Sequence, residues 1–354
     1  MNVVPSSKQR LSRRAALKIG LGSLALAGAP AVVRAQADSM VVVSSGGVLE
    51  DAYREAIYKP WTHKTGIQVI TGPNPAAKLK SMVEANATEW DVMQIDAAVA
   101  ASLARQNLLE PLDYSVIGKD DLLAGMANQY YVASDLAGTI ISWNTEALKG
   151  AAPPQTWAEF WAVDRIPGKR GILKRASQTL EIALMADGAD KDKLYPLDVE
   201  RALRSLAKIK NETYWWDSGA QGAQILIDGE VPLAMEWQGR VALPKKTGAK
   251  VDFHLNQALY ASDAWTIPKG VKNKKRSMDF IAFAMQADQQ FAYSKLLPYG
   301  PVNKKAIAMM DPAVLAQSPS SADVLKRGMY MNFEWWADNN EKVSQQFNRW
   351  VMAG

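Results

Sequence analysis

No cysteine occurs among the 354 residues, and histidine occurs twice. The first absence excludes disulfides, thiolate metal sites, a cysteine nucleophile and a lipid-modified N-terminal cysteine. The second leaves His63 and His254, far apart and in different predicted lobes, which supports neither histidine metal spacing nor a histidine-activated nucleophile. No strand-to-helix G-x-S-x-G elbow, no G-x-x-x-x-G-K-[ST] phosphate loop and no G-x-G-x-x-G turn after a strand is present. Apolar runs stop short of the ~20 residues that a membrane-spanning helix needs. The excess of base over acid, 41 against 36, is also local. Residues 1–37 hold Lys8, Arg10, Arg13, Arg14, Lys18 and Arg34 and no acid, so the remaining 317 residues are close to neutral, near −1. The basic total therefore says nothing for nucleic acid.

That basic segment has the three parts of a secretory signal. Leu11-Ser12-Arg13-Arg14-Ala15-Ala16-Leu17-Lys18 has the twin-arginine pattern, Ile19 to Val33 is uncharged, and Ala35-Gln36-Ala37 is a small-x-small cleavage site. We expect 1–37 to be a cleaved twin-arginine signal peptide and the mature chain to fold in the periplasm. Without disulfides it holds together by core burial, for which 317 residues suffice, in two lobes.

After Ala37 the chain alternates β-like runs with helical patterns. Met40–Val43, Ile67–Ile70 and Val92–Ile95 read as strands, with helices from Gly47 to about Lys64, over Ala76–Ala87 and over Ala97–Gln106. A second series follows: strands at Thr139–Trp143, Gly171–Leu173, Leu233–Glu236 and Val251–His254, and helices at Thr179–Ala186 and Val199–Ile209. Asp263–Ile267 returns to a β pattern, and the chain closes on a helix from Trp335 to Trp350. Repeated strand–helix units imply right-handed crossovers and mainly parallel sheets, so the fold class is α/β with two lobes.

All twelve tryptophans lie beyond residue 37, several beside predicted loops. Trp237 directly follows a strand, and ligand sites in α/β sheets form at the carboxyl ends of strands. Its ring offers apolar contact and a face that attracts ammonium groups. Tyr130-Tyr131 would suit a ferric tyrosinate pair only with nearby carboxylates or histidines, so adjacent tyrosines read better as packing or cleft residues.

The order of short motifs resembles the spermidine/putrescine-binding branch of periplasmic solute-binding proteins. The motifs are Lys64-Thr65-Gly66-Ile67-Gln68-Val69, Trp90-Asp91-Val92, Gly229-Glu230-Val231, Trp237-Gln238-Gly239, Asp263-Ala264-Trp265-Thr266-Ile267-Pro268, Tyr299-Gly300-Pro301-Val302-Asn303 and Trp350. The resemblance covers residues 40–354. It implies a type II periplasmic binding fold: 38–140 plus 263–310 as one lobe, 141–262 plus 311–354 as the other. The ligand cleft would lie between them, with a hinge near Gly138–Ser142 and Tyr260–Asp263. It also implies a monomer without metal or cofactor, delivering a small solute to an ABC permease and its cytoplasmic ATPase.

Within that resemblance Asp263 stands where the family has an ammonium-binding aspartate, and Trp237 where it has a stacking tryptophan. Other positions depart. The first loop is Ser44-Ser45-Gly46-Gly47 where such binders place a tryptophan, Lys174-Arg175 follows Gly171-Ile172-Leu173 where they place acidic residues, and Trp237-Gln238-Gly239 is followed by Arg240. A guanidinium suits a carboxylate through bidentate hydrogen bonds and opposes a dication. The expected solute therefore carries one amine and one carboxylate, as γ-aminobutyrate and related ω-amino acids do. Asp263 would take the amine, Arg175 or Arg240 the carboxylate, and Trp237 and Tyr131 would flank the carbon chain. Backbone N–H groups of Ser45, Gly46 and Gly47 would add an anion site, as would Ser218 and Gln221 before a predicted helix. The alternatives are a polyamine, a simple carboxylate or a ferric ligand in the same fold, and behind them a periplasmic enzyme.

Overall fold

The computed structural model describes residues 38–44, 46–73 and 76–353. The expected signal peptide and Ser45 lie outside the described residues. Among the described residues eleven strands form two sheets. The first contains β1 (Ser39–Ser44), β2 (Gln68–Pro73), β3 (Val92–Asp96), β4 (Tyr131–Ala133) and β10 (Asp263–Thr266). The second contains β5 (Ala137–Asn144), β6 (Arg170–Leu173), β7 (Thr213–Trp216), β8 (Leu233–Trp237), β9 (Val251–Ala261) and β11 (Met329–Tyr330). Their orders are β2-β1-β3-β10-β4 and β11-β9-β5-β8-β6-β7.

Both sheets are mixed. β1 runs parallel to β2 and β3, whereas β10 returns antiparallel between β3 and β4. In the second sheet β6 is parallel to β7 and β8, and β5 is antiparallel to β8 and β9. The alternation of side chains along a strand explains the valine run of β1. Met40 and Val42 enter the cluster around Trp265 and Phe280, while Val43 enters the one around Met93 and Ile95 on the opposite face. A strand covered on both faces needs continuous apolar sequence, not alternation. The second sheet has its own core, anchored by the fully buried Trp157, Trp216 and Trp336. Burying each such side chain stabilises the fold by roughly 2–3 kcal/mol.

The chain passes between the sheets where β4 leads into β5, at Ser134–Leu136, and where β9 becomes β10 around Ser262. The second passage falls within the expected Tyr260–Asp263. The first precedes the expected position, because Gly138–Ser142 already lies inside β5. A third passage runs through residues 299–329. Leu136 and Gly300 exchange both backbone hydrogen bonds, each 2.8 Å, so the first and third passages are laced together. The closing helix Phe333–Met352 buries Trp336, Val343 and Phe347 against the second sheet's core. Its first turns also meet the other unit, where Arg105 pairs with Glu334 and Asp338, each at 2.9 Å.

Two local features differ from the sequence expectation. The helix after Gly47 is interrupted by a π-helical turn over Arg54–Tyr58. β9 extends to Ala261, well past His254, because its polar interior (His254, Asn256, Gln257) masks the strand pattern. The short β4, β7 and β11 carried too few residues to stand out.

Candidate functional site

Strand ends of both sheets converge on one cleft of about 380 Å³. That is within the range of small-molecule sites. β1 ends at Ser44, and Gly46 and Gly47 open the helix that follows, with φ angles of +73° and +64° that need glycine. This loop is pinned by Ser44, whose hydroxyl donates to Glu50 (2.7 Å) and accepts the Gly46 N–H (3.3 Å). β3 ends at Asp96, which caps the following helix by accepting the N–H groups of Ala98 and Val99. β6 delivers Arg175 and Gln178, β7 delivers Asp217 and Ser218, and β8 delivers Trp237 and Arg240. Asp263 stands at the switch from β9 to β10.

The cleft has acidic lining residues. Asp263, Asp135 and Asp96 all line it. Burial, reinforced by the charges of Asp135 and Asp96, pushes the Asp263 carboxyl up to about 7, against the opposing pull of a Gln94 hydrogen bond and of Arg175. Asp135 is buried on the first passage and accepts the hydroxyls of Tyr53 (2.8 Å) and Tyr293 (2.7 Å). Those two rings stack at 4.6 Å. Burial raises the Asp135 carboxyl too, and the two tyrosine hydroxyls moderate the shift.

It has basic lining residues too. Arg175 and Arg240 line the same cleft, and among the described residues neither is ion-paired. The buried Nε of Arg175 has no hydrogen-bond partner. Arg170 shows the contrast: also buried, it is satisfied by the carbonyls of Phe160, Gly168, Ala162 and Ile166. Arg240 extends from the start of the helix Gln238–Lys246 toward the β1 loop. Its Nη2 lies 3.9 Å from where a Gly47 side chain would begin.

Trp237 lines the same cleft. The Arg175 guanidinium sits 5.6 Å from its ring centroid, and Trp216 packs edge-on at 5.6 Å. Its indole N–H donates to Gln178 at 2.9 Å. A side chain at Gly219 would come within 2.7 Å of the Trp237 ring and 3.2 Å of Arg240 Nε, so both neighbours require that glycine. Beneath them Glu236 is fully buried. One oxygen accepts the Trp237 N–H and the other has no partner; burial raises this carboxyl well above its ordinary range.

Six of the residues expected from sequence thus come together in the lining: Asp263, Trp237, Arg175, Arg240, Gly46 and Ser218. Gly47 stands outside the lining, next to Arg240. Three others do not join it. Tyr131 is corrected: on β4 it points into the core between the sheet and the closing helix, and its hydroxyl donates to Glu334 (2.9 Å). Gln221 is also corrected. It closes a reciprocal cap, its amide oxygen accepting the Asp217 N–H while its own N–H donates to the Ser218 hydroxyl, so it stands outside the lining. Ser45 lies outside the described residues. Sequence reading missed Asp96, Asp135, Thr139, Gln178, Asp217 and Tyr299. Asp96 was readable, since it directly follows a strand; Asp135 and Tyr299 reach the cleft only through the passages between sheets.

A larger concavity of about 510 Å³ lies beside the helices Gln238–Lys246 and Ala287–Leu296. It is lined by Lys245 and Lys246 but by no carboxylate. Among the described residues no group of three histidine, aspartate or glutamate side chains is placed to hold a metal, and no helix is long and apolar enough to cross a membrane.

Two α/β sheets joined by crossing strands, with a polar cleft at their carboxyl ends, define a two-lobed binding protein. The chain belongs to the bacterial extracellular solute-binding protein family, whose pattern matches residues 56–321. It is 34% identical to the gamma-aminobutyric acid-binding protein of Pseudomonas aeruginosa over 94% of this chain and 96% of that one. It is 25% identical to spermidine/putrescine-binding periplasmic protein 1 of Haemophilus influenzae over 82% of each. Among solved structures, one of a GABA receptor superposes with a TM-score of 0.84 at 34% identity, covering 90% of this chain and 98% of the other. The family is one of solute binders, not enzymes.

Proposed function

We propose that this chain is the periplasmic solute-capturing component of an ABC importer and that its solute is an ω-amino acid such as γ-aminobutyrate. The observation that carries this reading is one cleft lined both by the buried Asp263 carboxyl and by two guanidinium groups that, among the described residues, have no ion pair. An ammonium at Asp263 relieves the cost of a buried carboxylate. A carboxylate at Arg175 and Arg240 supplies the bidentate partner those groups lack. Trp237 covers the carbon chain between. The similar proteins from P. aeruginosa and H. influenzae are named for binding gamma-aminobutyric acid and spermidine/putrescine, which supports an amine-containing solute here.

In this reading the solute brings groups of both lobes together, and its contacts drive closure about the three passages. The lobes comprise 38–140 plus 263–310 and 141–262 plus 311–354. The closed monomer is handed to a membrane permease powered by a cytoplasmic ATPase. Export uses the twin-arginine signal of residues 1–37, cleaved after Ala37.

A thermal-shift panel with γ-aminobutyrate, putrescine, succinate and Fe³⁺ tests the solute. A true ligand at ~100 times its Kd adds about 2.7 kcal/mol of stability. Stabilisation by γ-aminobutyrate above the other three is expected; a response to putrescine alone would replace the ω-amino acid with a polyamine.

A further inference from the structure

The helix after β6 begins with a turn that breaks helical geometry: Gln178 has φ +73° and ψ −46°. A glutamine seldom adopts that region, and such strain concentrates where a side chain must be aimed. The aim is visible. The Gln178 side-chain oxygen accepts the Thr139 hydroxyl at 2.6 Å and the Trp237 indole N–H at 2.9 Å. An indole N–H can only donate, so the orientation of the amide is fixed with its oxygen toward Trp237. The amide nitrogen therefore faces away from both partners. It makes no hydrogen bond to another described residue and is not an enclosed atom, and the residue lines the cleft with Arg175 and Arg240.

We propose that the Gln178 side-chain N–H₂ is a direct donor to the carboxylate of the bound solute, making Gln178 a specificity-determining residue for acids over diamines. This rests on the ω-amino acid reading above. The same residue holds Trp237 through its oxygen, so two functions share one amide: the acceptor orients the ring and the donor selects the anion.

The two functions separate by substitution. Gln178→Glu keeps an acceptor for Thr139 and Trp237 but replaces the donor with a charged oxygen. Gln178→Met loses both acceptor and donor without adding charge. Calorimetric titration of γ-aminobutyrate into the purified proteins is expected to show Gln178→Glu weakened by roughly 10- to 100-fold, the scale of a hydrogen bond to a charged group. It should also be weaker than Gln178→Met. The proposal is overturned if Gln178→Glu stays within about threefold of the unsubstituted protein, or if Gln178→Met is the weaker variant, which is the order expected of a residue that only positions Trp237. Unfolding curves without ligand check that both variants fold. In the unsubstituted protein, the Gln178 side-chain amide resonance should move on adding γ-aminobutyrate and not on adding putrescine; an amide unmoved by γ-aminobutyrate overturns the proposal. Absence of γ-aminobutyrate binding by the unsubstituted protein would instead remove the ω-amino acid reading on which this rests.

Discussion

The guanidinium of Arg175 lies 5.6 Å from the ring centroid of Trp237 and, among the described residues, forms no ion pair with a carboxylate. The ring face orients the cation without consuming its hydrogen-bonding edge. Arg175 is therefore held ready for an anion. Removing it should weaken a carboxylate ligand and leave an amine end untouched. Arg175→Gln and Arg240→Gln are each expected to reduce γ-aminobutyrate affinity by roughly 10- to 100-fold, from a charge-assisted hydrogen bond of about 1.5–3 kcal/mol. Calorimetry with γ-aminobutyrate and n-butylamine checks this; equal losses for both ligands would deny the arginines a carboxylate role.

Asp263 gives the complementary prediction. Asp263→Asn should abolish the thermal shift produced by an amine. It should also raise the stability of the ligand-free protein at neutral pH, because a carboxylate crowded by Asp135 and Asp96 is removed. Chemical denaturation with and without γ-aminobutyrate measures both effects. An undiminished ligand response would take Asp263 out of the site.

The same carboxyl makes stability depend on pH with a definite sign. Its pKa rises from 3.8 to about 7 on folding. Between these values the folded cleft retains a proton that the unfolded chain has lost. Its contribution to ligand-free stability therefore falls as pH rises through this window and is level above it. An ammonium ligand favours the carboxylate, so the ligand's own stabilisation should grow over the same interval. Melting curves at pH 5 and pH 8 check it. A γ-aminobutyrate shift as large at pH 5 as at pH 8 would contradict the coupling.

Packing beneath the cleft gives a prediction independent of any ligand. A methyl group at Gly222 would lie 2.1 Å from Glu236 Oε2 and 2.9 Å from the Trp216 ring. Both neighbours are fully buried. Gly222→Ala should therefore destabilise by about 1–3 kcal/mol, the usual cost of overpacking. It should appear as a lower denaturation midpoint at unchanged slope. A midpoint equal to that of the unsubstituted protein would show that Glu236 has room to move.

The legible part of this molecule followed from local rules. The apolar runs of β1 and β3 pointed to strands of the first sheet, the rule for strand carboxyl ends pointed to Trp237, and departures from the family pattern pointed to Arg175, Arg240 and Gly46. Asp96 obeyed the same rule and was overlooked. Other residues were illegible for physical reasons. Asp135 reaches the cleft because two passages between sheets lie side by side, a long-range fact. Gln178 depends on a backbone conformation that no residue type in Lys174–Thr179 announces. Tyr131 misled because an adjacent tyrosine pair looks like a cleft wall, whereas strand alternation turned it toward Glu334.

The central claim is that one cleft selects a solute with an amine at one end and a carboxylate at the other. Calorimetric titration of γ-aminobutyrate, putrescine and succinate into the purified protein at pH 7.5 or above tests it most directly. The account predicts a γ-aminobutyrate Kd at least about tenfold below that of either of the others, a difference of 1.4 kcal/mol. Equal or tighter binding of putrescine or of succinate would contradict it.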